Sequence, residues 1–198
     1  MDPHRLVLAS RSPRRRDLLT QMGLSLEIQP ADVDETLSSE LSPAEYVQIL
    51  AEKKARYVMA LRRQSWVLGA DTIVVKDGTV LGKPKNQAEA ISMLECLSDG
   101  IHSVFTGYAV GRHTGRHMMA RAIETQVVFK VLTNPEILWY TGTREPYDKA
   151  GGYAVQGLGA FMVKEIRGSW ANVVGLPVCE VIQTLASLGA IQFQGHVP

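Results

Sequence analysis

The apolar positions of this chain follow two periods. Unbroken runs such as Leu6-Val7-Leu8-Ala9 and Trp66-Val67-Leu68 have the character of buried strands, whereas Val47, Leu50, Ala51, Val58 and Leu61 recur at i, i+3 and i+4 and mark one face of a helix. The two kinds alternate. The pattern predicts a strand at residues 6–9, a helix at 13–22 ending before Gly23, and a second strand at 24–29. Ser42-Pro43-Ala44-Glu45 is a capping box with proline at the first helical position, and it opens a long helix reaching about residue 62.

Residues 66–75 read as a strand interrupted at Gly69-Ala70-Asp71-Thr72, and Asp77-Gly78 signals a two-residue turn back through Val80-Leu81. Asn86 caps a helix ending near Ser98. Strand-like runs at 103–110 and 118–131 flank the turn-like Gly111-Arg112-His113-Thr114-Gly115 and predict an antiparallel hairpin. Thr133-Asn134-Pro135-Glu136 starts a helix to about Tyr140, a glycine-rich polar stretch covers 142–159, a strand follows at 161–166, and Pro177 starts a last helix ending at Leu188 before Gly189. With no internal repeat, low-complexity tract or linker, the expectation is a single α/β domain over residues 1–198 with a frayed tail at 194–198.

Composition narrows the partners. In 198 residues with 45% hydrophobic positions there is material for a real core, while 21 Lys and Arg against 20 Asp and Glu leave a formal charge of +1. No global field draws such a chain to nucleic acid or to an anionic membrane, so any affinity for anions is local. Cys96 and Cys179 lie far apart in segments that read as buried helix, which predicts neither a disulfide framework nor a cysteine metal site and fits a reducing cytoplasm. Asp2, His4 and Arg5 precede an apolar run too short for a signal peptide, and nowhere do 18 apolar residues follow one another. The expectation is a soluble cytoplasmic protein.

Charge also sits in places that need explaining. Ser12 is a good N-cap and Pro13 suits the first turn, yet Arg14, Arg15 and Arg16 follow at once. A helix N-terminus already carries about half a positive charge, and each exposed arginine there is disfavoured by about 0.3–1 kcal/mol. Successive helical residues turn by roughly 100°, so two arginines at most address one ligand and the third points away. They form either a solvated basic face or a phosphate site that joins free N–H groups to guanidinium forks. Asp71, set within an apolar run, needs a partner; it reads as an aspartate bonded to a turn, or as a metal ligand or general base at a strand end. Asp32, Asp34 and Glu35 form an ordinary acidic loop or supply oxygens to Mg²⁺, which takes one or two carboxylates plus substrate phosphates.

Lys54 falls on the inward stripe of the long helix, with Lys53 at its flank, and either snorkels or reaches an anion over the edge of the core. Lys83, in Gly82-Lys83-Pro84, is a phosphate hand or a solvated turn lysine. The stretch from Glu145 to Tyr153 and Gln156-Gly157-Leu158-Gly159 combine charges, aromatics and glycines; turn-making accounts for the glycines but not for the charges. There is no P-loop, Gly157-Leu158-Gly159 lacks the third glycine of a dinucleotide fingerprint, and no Ser or Cys stands in a nucleophile motif. His113 and His117 have i, i+4 spacing, but Gly115 between them argues for a turn rather than a zinc site.

Taken in order, Ser10-Arg11-Ser12-Pro13-Arg14-Arg15, Gly69-Ala70-Asp71-Thr72, Gly82-Lys83-Pro84, Glu145-Pro146 with Asp148-Lys149-Ala150-Gly151, Gln156-Gly157-Leu158-Gly159 and Val174-Gly175-Leu176-Pro177 resemble the Maf family of nucleoside triphosphate pyrophosphatases. The resemblance runs from about residue 5 to 188. It implies an α/β domain of the inosine-triphosphate-pyrophosphatase-like type, elongated, with a long mixed sheet and a central cleft. It also implies cleavage of a nucleoside triphosphate to monophosphate and pyrophosphate with a divalent cation, Mg²⁺ or Mn²⁺. Carried over by position, Asp71 matches the proposed proton acceptor, Ser10, Arg14, Arg15, Lys54 and Lys83 the phosphate-handling residues, and Asp34 or Glu35 the acidic residues near the metal. Arg14, Thr72 and Gln156 stand at specificity positions and are similar to the branch acting on dTTP and UTP rather than on 7-methyl-GTP. A homodimer is an expectation from the resemblance alone.

Such a reaction needs charge neutralisation and in-line positioning more than covalent help. Asp71 would orient or deprotonate the attacking water, and the Gln156 amide, which donates and accepts at once, matches the carbonyl and N–H edge of a pyrimidine. The alternative is a non-enzymatic nucleotide-binding protein with a regulatory role in cell division; stable UTP binding without UMP formation in the presence of Mg²⁺ or Mn²⁺ separates the two.

Overall fold

The computed structural model describes residues 6–37, 41–115 and 118–193. The expected fraying of residues 194–198 and the second histidine of the His113, His117 pair lie outside them. β1 (Leu6–Leu8) runs parallel to β2 (Leu26–Ile28) on one side and to β3 (Trp66–Lys76) on the other. β4 (Thr79–Leu81) folds back antiparallel on the far end of β3. On its opposite edge β3 continues through antiparallel β5 (Ile101–Arg112), β6 (Met118–Phe129) and β7 (Val163–Arg167), so that one mixed sheet of seven strands has the order β2-β1-β3-β5-β6-β7 with β4 beside β3. Helices α1 (Pro13–Gln21), α2 (Pro43–Leu61), α3 (Gln87–Leu97), α4 (Asn134–Thr141), α5 (Trp170–Val174) and α6 (Val178–Ser187) complete an α/β fold.

Local chemistry sets these elements. Ser12 Oγ accepts the Arg15 N–H at 3.4 Å to start α1, and at α2 Ser42 Oγ accepts the Glu45 N–H at 3.3 Å while Glu45 Oε2 accepts the Ser42 N–H at 3.0 Å. Asp77 (φ 49°) and Gly78 (φ 77°) both take the left-handed conformation that the tight turn between β3 and β4 requires. The stripe of α2 buries Val47, Leu50, Ala51, Lys54, Ala55, Val58 and Met59 against the sheet. Leu61, expected on the same stripe, is the last residue of the helix and is 57% exposed.

The side chains of β3 alternate between two apolar layers. Val67 joins Val7, Ala51 and Val58 under α2, and Leu68 and Ala70 join Leu19, Tyr108, Leu176 and Leu185 on the opposite face. Each buried aliphatic side chain contributes about 1.5–3 kcal/mol relative to exposure.

Three expectations are corrected. Gly69-Ala70-Asp71-Thr72 does not interrupt the strand: β3 is continuous over 11 residues, and Asp71 lies in its middle rather than at an end. Gly69 is there for close packing, since a Cβ would stand 2.3 Å from the Ala51 carbonyl oxygen of α2. Phe161 belongs to a 3₁₀ segment at Gly157–Met162, ahead of β7, and α5 was not foreseen from the sequence. Cys96 and Cys179 lie on helices as expected but on their exposed faces.

His102 of β5 is 2% exposed, its Nε2 lies 2.8 Å from the Tyr153 hydroxyl, and its Nδ1 has no partner among the described residues. Burial, helped by the nearby Lys76 charge, pulls its pKa from the ordinary 6.5 to about 4. Between those two values the unfolded chain binds the proton and the folded chain does not. Stability is therefore full above pH 6.5, falls by up to about 3 kcal/mol as the pH drops toward 4, and changes no further through this group below that. Urea unfolding of His102→Gln across this range is expected to lose that component of the slope.

Candidate functional site

The sheet leaves one strand edge open. β1 pairs with β3 at Trp66, Val67 and Leu68, and β4 pairs with it at Val74, Val75 and Lys76, so residues 69–73 have no strand neighbour on that side among the described residues. A cavity of about 760 Å³ opens along this gap, within the size range of small-molecule sites. Because Asp71 and Thr72 point to opposite faces of β3, the gap lets both border the same space.

On the α2 side, Lys54 Nζ lies 2.6 Å from Asp71 Oδ1 and 2.7 Å from Glu35 Oε1. Lys54 and Asp71 are both only 9% exposed, and the ammonium shared by two carboxylates is what allows Asp71 to sit within an apolar strand. Among the described residues Asp71 Oδ2 accepts no hydrogen bond.

On the other side, the start of α1 meets the open edge. Arg15 Nε donates to the Gly175 carbonyl at 2.8 Å, its Nη1 to the Ala70 carbonyl at 3.0 Å and to Ser10 Oγ at 3.2 Å, and its Nη2 to Thr72 Oγ1 at 2.9 Å. Arg15 thus caps a carbonyl that a missing strand would have satisfied. Burial pushes its guanidinium pKa down, with the Asp71 charge opposing, but an arginine stays protonated at any working pH. Most of its donors are spent inside the protein, so its charge reaches the cavity more than its hydrogen bonds do. Arg14 is freer. It pairs with Asp148 at 2.9 Å and borders the cavity, whereas Arg16 turns outward to Asp17 at 2.8 Å. Of the three successive arginines, Arg14 and Arg15 border the cavity and Arg16 does not.

Ser10, Lys83 and Gln156 complete the border. The half-buried Gln156 side chain makes no hydrogen bond among the described residues, while the Thr72 hydroxyl is taken up by Arg15, by Thr106 at 2.9 Å and by the Gly175 carbonyl at 3.4 Å. All of the sequence-derived positions except one therefore meet in one cleft. The exception is Asp34, which is fully exposed and accepts the Thr36 N–H at 2.9 Å; Glu35 and Asp32 border the cavity in its place.

No three His, Cys, Asp or Glu side chains form a ready metal cluster among the described residues. The donor set of Asp71 and Glu35, with Asp32 nearby, nevertheless fits a cation that takes one or two carboxylates and completes its shell with substrate oxygens. The sequence reading missed Tyr46, and it quoted Asp148 within a motif without its pairing to Arg14. Tyr46 borders the cavity and donates to the Glu35 carbonyl at 3.1 Å; its i, i+8 spacing to Lys54 is the signal that was there to find. Asp148 holds Arg14 from the far wall, and nothing local in the sequence pairs residues 134 positions apart.

A family profile described as Maf-like protein matches residues 5–188. The chain is 47% identical over 191 residues to the dTTP/UTP pyrophosphatase of Syntrophus aciditrophicus (strain SB), covering 96% of this chain and 93% of that protein. It is 47% identical over 186 residues to the protein of that name from Citrifermentans bemidjiense, covering 94% and 96% of the two chains, and 44% identical over 191 residues to that of Geobacter sulfurreducens, covering 96% and 100%. Matched over nearly its whole length by the profile and by relatives of its own size, the chain belongs to the Maf family.

Proposed function

We propose that this protein is a nucleoside triphosphate pyrophosphatase that hydrolyses dTTP and UTP to the monophosphate and pyrophosphate. The observation that carries the reading is the convergence in one cleft of a carboxylate paired with an internal ammonium, a basic wall, and an amide without a partner among the described residues: Asp71 with Lys54, Arg14 with Lys83, and Gln156. The relatives' name, dTTP/UTP pyrophosphatase, supports the same choice.

Each residue has a task on this reading. Arg14, Lys83 and Ser10, with the charge of Arg15 behind them, bind the β and γ phosphates and lower the charge that builds on the leaving pyrophosphate. Asp71 takes the proton of a water whose oxygen bonds to the α-phosphorus, while the bond from that phosphorus to the bridging oxygen breaks and its electron pair leaves with pyrophosphate. Lys54 holds Oδ1 and so fixes the carboxylate with Oδ2 toward the water. A divalent cation, Mg²⁺ or Mn²⁺, held by Asp71 and Glu35, would supply further neutralisation of the phosphate oxygens. Gln156 meets the carbonyl and N–H edge of uracil or thymine, and Arg14 and Thr72 line the same space. The reading extends to a cytoplasmic enzyme acting as a homodimer on free nucleotide, with neither nucleic acid nor membrane as a partner.

The test is a panel of triphosphates assayed for products. UTP and dTTP are expected to give one pyrophosphate per monophosphate, at a kcat/KM on the order of 10-fold or more above CTP, ATP and GTP. A chelator is expected to stop turnover. Release of inorganic phosphate in place of pyrophosphate, or tight UTP binding with no UMP formed, overturns the reading.

A further inference from the structure

The loop that presents Gln156 is fastened on both sides by a single carboxylate network. Glu145 Oε1 accepts the Gly159 N–H at 2.8 Å and the Tyr140 hydroxyl at 3.0 Å, and Glu145 Oε2 accepts the Leu158 N–H at 3.0 Å. The Tyr140 oxygen in turn accepts the Ala154 N–H at 3.2 Å. Residue 154 before Gln156 and residues 158 and 159 after it are therefore tied to the same two side chains. Tyr140 is fully buried, and burial together with the Glu145 charge pushes its pKa up, so its hydroxyl remains the donor in this arrangement.

The approach is close enough to restrict the sequence of the loop. Gly157 has φ 79°, and a Cβ there would stand 2.6 Å from Glu145 Oε2. At Gly159 a Cβ would stand 2.5 Å from the Ala154 carbonyl oxygen and 2.9 Å from the Tyr140 hydroxyl. The glycines on either side of Leu158 exist because the carboxylate and the phenol press against the backbone, which accounts for the charge pattern that turn-making did not. The turn that begins at Glu145 also carries Asp148, the partner of Arg14, and Lys149, whose Nζ donates to the Glu145 carbonyl at 2.7 Å.

We infer that Glu145 and Tyr140 are a positioning pair that sets where the Gln156 amide stands in the cleft, and so determines discrimination between pyrimidine triphosphates without touching the nucleotide. The inference rests on the reading of Gln156 as the residue facing the base. Uracil and thymine offer an N–H between two carbonyls, whereas cytosine offers a bare ring nitrogen and an amino group; an amide held in one place tells them apart, and one that wanders does not. In Glu145→Gln the shape is kept, but an amide nitrogen takes the place of one acceptor and faces an N–H.

The experiment measures kcat and KM for UTP, dTTP and CTP in wild type, Glu145→Gln, Tyr140→Phe, Gln156→Ala and the Glu145→Gln/Gln156→Ala double variant. For Glu145→Gln, KM for UTP is expected to rise about 10-fold with kcat within about 2-fold, and the preference for UTP over CTP to fall about 10-fold. Tyr140→Phe moves the same readouts in the same direction by less, and it carries the test if Glu145→Gln does not fold. On the Gln156→Ala background Glu145→Gln is expected to reduce the preference no further. A fall in kcat shared equally by all three substrates with the preference kept, or additive losses in the double variant, overturns the inference. If Gln156→Ala leaves the preference unchanged, the base-reading role fails and the inference with it. If Gln156→Ala lowers the preference while neither Glu145→Gln nor Tyr140→Phe does, the positioning pair alone is refuted.

Discussion

Asp71→Asn is expected to slow pyrophosphate release from UTP by about 10²- to 10⁴-fold, the range a positioned proton acceptor contributes, while UTP affinity changes by no more than a few-fold. The substitution separates chemistry from binding because of how the pair is built. Asparagine keeps an oxygen for the Lys54 ammonium, which lies 2.6 Å from Asp71 and 2.7 Å from Glu35, so Lys54 is not stranded as an unpaired buried charge. Removing one partner of an isolated buried pair costs about 3–5 kcal/mol; with Glu35 still in place the loss of stability is expected to stay below that. Single-turnover pyrophosphate release, calorimetric titration with UTP and a urea melt read the three quantities separately. Retained turnover would remove Asp71 from the reaction, and a loss of binding equal to the loss of rate would make it a structural residue.

The parts of this molecule that local chemistry dictates were legible in the sequence, and the parts that depend on long-range approach were not. Ser42-Pro43-Ala44-Glu45 and Asp77-Gly78 act within a few residues, so the capping box and the turn stand where the pattern put them. Asp71 shows the limit. A carboxylate and a glycine within an apolar run look like a break when only neighbours along the chain are considered, because the sequence hides that Lys54 and the backbone of α2 lie over them. The site divides in the same way. Arg14, Arg15, Lys54, Lys83 and Gln156 border one cleft, yet their sequence context does not tell that Arg15 spends its donors on Ala70, Thr72 and Gly175 while Arg14 pairs with Asp148. Asp34 and Glu35 are adjacent carboxylates, and only the path of the loop decides that Glu35 reaches Lys54.

Gly107→Ala is expected to destabilise the protein by more than about 3 kcal/mol, above the usual cost of overpacking, and to lower its melting temperature by on the order of 10 °C. A Cβ at Gly107 would stand 2.2 Å from the Val47 carbonyl oxygen and 2.6 Å from the Gln48 nitrogen. Both are backbone atoms inside α2, held by the helix's own hydrogen bonds, so no side chain can swing aside. Relief requires α2 to lift from the sheet, and it must lift at a particular place: Gly107 is the register partner of Asp71. Lys54 lies about two turns further along the same helix, and its 2.6 Å contact with Asp71 depends on that close approach. The fraction that remains folded is therefore expected to lose activity as well, so that the two effects of one methyl group arise from one displacement. Gly82→Ala, where a Cβ would meet nothing within 4 Å, is the matched control, with an expected change within about 0.5 kcal/mol. Urea unfolding of both variants, read beside UTP turnover, decides the matter. An unchanged midpoint for Gly107→Ala would mean that α2 rides loosely on the sheet, and that the ion pair at the centre of the cleft is set by side-chain reach rather than by the approach of two backbones.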